Sequence, residues 1–180
     1  MQRAVDEMTA HGSVIVVAAG NSRAAARSTP GGCQGVITVA ATGTQGRRAP
    51  SSNWGAAVPL AAPGGTATER SDVLQPGGGE VERIGTSLAA PLVAGAVSLL
   101  LADRLGLHPA EVAAILRRSA QPFARGQCDR IRARPCGAGV LDVRVTLGLV
   151  LDWAAATRPE RGAPLPAENR PASQGPGSPT

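Results

Sequence analysis

The sequence predicts an α/β fold in which a parallel sheet packs against helices. Three observations carry this. Residues 14–17 (V-I-V-V) are a short, unbroken β-branched run, as a strand buried on both faces of a parallel sheet requires. Residues 36–40 (V-I-T-V-A) form a second such run. Residues 86–105 are apolar on nearly all faces at helical spacing, as in a helix buried inside a domain.

The remaining elements follow in chain order. Residues 2–10 have a mixed amphipathic pattern and predict a helix leading into the first strand. Residues 22–32, rich in Ala, Arg, Gly and Pro, read as a loop, and residues 42–55 as polar and turn-like. Residues 58–61 read as a third strand, with Pro59, which has no N–H to give a sheet, as the feature against it. Residues 66–79 read as an irregular loop ending in P-G-G-G. No strand run leads into those glycines and no Lys-Ser/Thr follows, so they predict punctuation rather than a phosphate cradle. Pro91 falls in the second turn of the long helix and leaves the Ser87 carbonyl without its N–H donor, which predicts a local distortion and not a break. Residues 109–119 form a second helix with Pro109 at its first position, and residues 140–153 a last one. From residue 157 onward Pro, Gly, Ser, Ala and Arg dominate, predicting a disordered tail over 157–180 and one domain over 1–156.

Composition narrows the function. One Phe, two Trp and no Tyr leave Ala, Val, Leu and Ile to build the core. The 18 basic residues are all arginine and outnumber 13 acids, for a net charge of +5. They are scattered, locally dense only over residues 125–134, and aromatic stacking partners are nearly absent, which argues against nucleic-acid binding. Asp103 and Arg104 end the apolar run that starts near Leu88, which argues against a membrane span. The first residues, M-Q-R-A-V-D-E-M, contain no apolar core of a secretory signal. Three cysteines without a C-x-x-C pair or clustered histidines argue against zinc.

Two strings carry chemistry. Residues 85–95 read G-T-S-L-A-A-P-L-V-A-G, with Ser87 opening the long helix. Unpaired N–H groups and the helix dipole favour negative charge at such a start, so an oxyanion forming beside Ser87 would be stabilised. The same serine also fits an ordinary N-terminal cap. Residues 13–22 read S-V-I-V-V-A-A-G-N-S, in which small residues and Asn21 end a strand. A side-chain amide there can donate into the crevice where open α/β sheets bind ligands, and the same residues also fit a plain Gly-Asn turn.

Together the two strings resemble the nucleophile and oxyanion-hole motifs of the subtilisin-like serine proteases, with Leu88 where methionine and Leu92 where histidine are frequent. Residues 48–65 (R-A-P-S-S-N-W-G-A-A-V-P-L-A-A-P-G-G) resemble the family's strand and A-A-P-G turn, and residues 110–120 and 136–143 its closing helices with their G-x-G turn. The resemblance spans about residues 1–155, in order. It implies a three-layer subtilisin-like fold, incomplete because the amino-terminal strands are missing. It also implies a secreted endopeptidase acting on polypeptide. Ser87 would be the nucleophile, Asn21 and the Ser87 N–H the oxyanion donors, and Ala18, Ala19 and Gly20 a wall of the substrate pocket. Structural calcium is frequent in the family, but no site is assignable here. Similar spacing in secreted members closes a disulfide, which would pair Cys128 with Cys136 against the alternative of two free thiols. Cys33 would then lack a partner, a part played by an upstream cysteine in related bacterial proteases.

A serine hydroxyl needs a base, and the family's triad runs Asp, His, Ser along the chain. No H-G-T-H string or D-[ST]-G strand end is present, and the only histidines are His11 and His108. An extended run from His11 to Asn21 spans about 25–30 Å, and a helix from Ser87 to Leu105 about 27 Å. Neither histidine meets the ~3.2 Å reach of a general base. The expectation is a chain that is inactive alone and works, if at all, with a portion bearing Asp and His. The other reading is a remnant that binds peptide or a complementary chain.

Overall fold

The β-branched runs pair as strands of one parallel sheet: β1 (Ile15–Ala18), β2 (Val36–Thr42) and β3 (Leu60–Pro63), in that spatial order. Val39 lies opposite Ala18 on one side and Leu60 on the other. A computed structural model describes residues 1–124, 128 and 135–148. Before β1 comes helix α1 (Gln2–Ala10), as the amphipathic pattern predicts. Its Gln2 side chain both donates to the Gln34 carbonyl and accepts from the Gln34 N–H, docking the helix beside the start of β2.

Period-two alternation divides the sheet residues between two clusters. Ile37, Val39, Ala41, Leu60 and Ala62 face one side, where they meet the helix Thr86–Asp103 and the helix Pro109–Ser119. Ala19, Ala40 and Ala61 face the other, with Ala26, Val58 and Phe123. The small side chains set close contact, as an Ala-rich core requires.

Three expectations need correction. The third strand begins two residues later than residues 58–61, because Pro59 cannot donate and the Val58 N–H turns back to Gly55 O. Residues 66–79 are not irregular throughout: β4 (Ser71–Leu74) pairs antiparallel with β5 (Glu80–Arg83), and Gly77, Gly78 and Gly79 all take positive φ in the turn between. The last helical segment starts at residue 143, since Val140 bridges to Gln121 and to Ala61 instead. Residues 149–153 of that predicted helix, the tail 157–180 and most of the locally basic 125–134 segment lie outside the described residues.

The long helix, α2 (Thr86–Asp103), runs through Pro91 without a break. It too departs from expectation. Ala89, Val93, Ala96, Val97 and Leu100 are buried against the sheet, while Leu92 and Leu99 on the outward side are 49% and 54% exposed. By length and composition this helix could cross a membrane, contrary to the sequence reading, because Asp103 is its only charged residue. Its inner face is nevertheless the one that covers the sheet. Helix α3 (Pro109–Ser119) follows and adds Val112 and Leu116 to the same core.

Candidate active site

Three segments meet at the carboxyl end of the parallel sheet. β1 runs into Ala19, Gly20 and Asn21; β3 runs into Gly64 and Gly65; β5 leads through Ile84 and Gly85 into α2. The N–H groups of Gly64 and Gly65 donate to the Thr42 carbonyl at the end of β2, at 2.9 and 3.1 Å, and the Gly85 N–H donates to Gly64 O at 2.8 Å. Side chains are excluded at this crossing. A Cβ on Gly64 would lie 2.6 Å from Gly85 O, and one on Gly85, whose φ is +136°, would lie 3.0 Å from Asn21 Nδ2.

Thr86, the first residue of α2, is fully buried and ties the strings together. Its N–H and its hydroxyl both donate to Asn21 Oδ1, at 3.0 and 3.2 Å, and its Oγ1 accepts from the Gly20 N–H at 3.1 Å. A backbone N–H can only donate, so the amide oxygen of Asn21 must face Thr86 and the Nδ2 group faces away from it. Asn21 thereby caps an orphan donor of α2 from the loop after β1. Ser87 comes next and is exposed. In the first turn, its own N–H has no intrahelical acceptor. The result is a solvent-facing hydroxyl, a fixed side-chain amide and a backbone donor at the positive end of an 18-residue helix.

Ala18 ends β1; Ala19 is buried and donates its N–H to Val39 O at 2.9 Å; Gly20 lies between Thr86 and Asn53. The backbone of this stretch is therefore held on both sides. Sequence reasoning singled out Ser87 and Asn21 but passed over Thr86 and Asn53. Their signals were the threonine inside G-T-S and the asparagine of S-S-N-W-G, each polar in an otherwise small or apolar context.

Neither histidine comes to the site. His11 follows α1 and its Nδ1 lies 2.7 Å from Glu7 O. His108 is the N-cap of α3, with its N–H donated to Glu111 Oε2 at 2.8 Å. His108 also lines a cavity of about 560 Å³ with Asp6, Thr9, Gly35 and Val36. That places it at the amino end of β2, and the six residue steps to Thr42 carry that strand about 20 Å to the site end. Among the described residues, no group of three or more His, Cys, Asp or Glu side chains could hold a metal ion.

Cys128 and Cys136 form a disulfide, and Cys33 is a half-buried free thiol. Next to Cys136, the Ala138 N–H donates to Pro59 O and the Ala61 N–H to Gly139 O, so the bridged segment is stitched to β3.

The subtilase (Peptidase S8) family model matches residues 1–139. The chain is 38% identical to the "Extracellular basic protease" of Dichelobacter nodosus over 97% of this chain and 28% of that protein. It is 36% identical to the "Extracellular protease" of Xanthomonas campestris over 83% of this chain and 26% of that protein. Among solved structures it superposes on a protease of Pseudoalteromonas arctica with a TM-score of 0.70 at 30% identity, over 83% of this chain and 46% of that one. For the patellamide maturation protease PatA the TM-score is 0.72 at 31% identity, over 84% and 56%. The chain thus spans roughly a quarter of these curated relatives' length and about half of these solved chains. With its parallel sheet and helices covering part of that fold, the chain belongs to the subtilase family, whose members are serine endopeptidases.

Proposed function

We propose that Ser87 is the nucleophile of a peptide-hydrolysing site and that Asn21 Nδ2 and the Ser87 N–H stabilise the oxyanion. One observation carries the reading: Thr86 fixes Asn21 Oδ1 by two hydrogen bonds, which leaves the Nδ2 group as a preoriented donor close to the start of α2. Preorganised donors act where charge develops in the transition state, and losing one costs about 10²–10³-fold in turnover, a magnitude known for subtilisin itself. Ala18, Ala19 and Gly20 form one wall of the pocket for the residue before the scissile bond. The substrate is a polypeptide. The relatives named extracellular proteases support secretion.

The base comes from elsewhere. The chain's two histidines sit at the far ends of α1 and α2 from this site, so the Ser87 proton goes to an imidazole on an Asp- and His-bearing amino-terminal portion. The test is fluorophosphonate labelling with mass mapping. Label on Ser87 only after mixing with such a portion supports the proposal, and its loss in S87A completes it. A mixture that forms a complex yet never labels overturns it.

A second reading has its own support. β1 pairs only with β2 among the described residues, and α2 keeps an apolar outward face. Both favour binding of a peptide or a complementary polypeptide, and a stable complex that never labels would identify the chain as non-catalytic.

A further inference from the structure

We infer that Asn53 is the positioning residue that holds the Asn21 loop in its donor-presenting shape. This rests on the proposed role of Asn21. Asn53 is 5% exposed, on the segment between β2 and β3. Its Nδ2 donates to Ala19 O at 2.9 Å. Its Oδ1 accepts from the N–H groups of Ser22 and Ala24, at 2.9 and 3.0 Å. Its backbone N–H donates to Gly20 O at 2.8 Å. Four hydrogen bonds therefore bracket Asn21 on both sides without touching it.

The bracket needs a donor for Ala19 O and, on a second atom of the same short planar group, an acceptor for two N–H groups; an asparagine amide provides both, an ionised carboxylate has no donor, and a hydroxyl has only one oxygen to reach both sides. Its own footing is firm. Arg48 Nη1 donates to Ser52 O at 2.6 Å, and Ser52 Oγ accepts from the Ala41 N–H of β2 at 3.0 Å. Gly20 is fitted to it: a Cβ there would meet Asn53 Nδ2 at 2.6 Å, at a φ of +97°. The chain can turn sharply at Gly20 and aim Asn21 at Thr86 because Asn53 occupies the inside of that turn.

The test uses the full chain, ¹⁵N-labelled, and reads the side-chain amide of Asn21 and its contacts to Thr86 by NMR. N53S is expected to abolish the Asn21–Thr86 contacts at every pH. It should also lower hydrogen-exchange protection of the Ser22 and Ala24 amides by at least about tenfold, while the Val39 and Ala40 amides stay protected. N53D is expected to restore the contacts at acid pH, where a neutral carboxyl can donate to Ala19 O and still accept, and to lose them as the carboxyl ionises. Wild type is expected to show no such pH profile. Retention of the Asn21–Thr86 contacts in N53S overturns the inference, as does an N53D variant that behaves like N53S throughout. Loss of protection across the whole sheet in N53S would leave N53D to decide by its pH profile. Failure of the catalytic reading is a separate result. If N21A labels at Ser87 as fast as wild type in the mixed preparation, Asn21 is not the oxyanion donor, whatever Asn53 does.

Discussion

β1 and β2 are built from similar residues and have different surroundings. β2 reads V-I-T-V-A-A-T and is buried from its second residue to its last, between two strands and beneath two helices. β1 reads I-V-V-A and is half-buried at every position, with a strand on one side only among the described residues. The same division runs along α2, whose inner face packs on the sheet while Leu92 and Leu99 face outward. A β-branched run reports what a strand can bury; what it does bury depends on residues far away or on another chain.

The largest expected effects contrast the two strands. I37A, in β2 with its side chain 2% exposed, should cost about 2–5 kcal/mol by transfer and cavity terms. I15A in the open strand should cost no more than about 1.5 kcal/mol, since its side chain is only half removed from water. Urea unfolding of both variants checks this, and equal losses would break the comparison. Reducing the Cys128–Cys136 bridge comes next. Its loop of eight residues' separation predicts about 2–3 kcal/mol from the unfolded chain's gained freedom, seen as a lower unfolding midpoint in reductant. G85A follows at about 1–3 kcal/mol, because φ is +136° and the new Cβ presses on Asn21. It should also shift the Asn21 side-chain amide resonance, which sharpens the link between fold and site. The smallest effect on stability belongs to the outward face of α2. L92Q with L99Q should change stability by less than about 1 kcal/mol while reducing self-association in sedimentation velocity, since both leucines are about half exposed. Unchanged association would mean that face is not adhesive.

The parts of the fold legible in the sequence are those with local causes. The runs at 14–17 and 36–40 became β1 and β2 within a residue or two, and Pro109 opens α3 where its missing N–H costs nothing. Ser87 and Asn21 were legible because each sits at a boundary between an apolar run and small residues. The β4–β5 hairpin was not, because Val73 and Val81 are its only β-branched residues, placed opposite each other among charged neighbours. Its turn depends on three consecutive glycines at positive φ, which read equally well as punctuation. Thr86 and Asn53 were missed for another reason. Their side chains satisfy backbone groups more than 25 residues away, and no local pattern displays that.

The proposed chemistry needs an exposed Ser87 hydroxyl near a fixed Asn21 amide while both imidazoles of the chain sit at the other end of the sheet. Hydrolysis of an activated peptide ester by the purified chain tests this directly. The predicted result is a rate no higher than that of the S87A variant. Turnover by the wild-type chain alone that S87A abolishes would contradict the account.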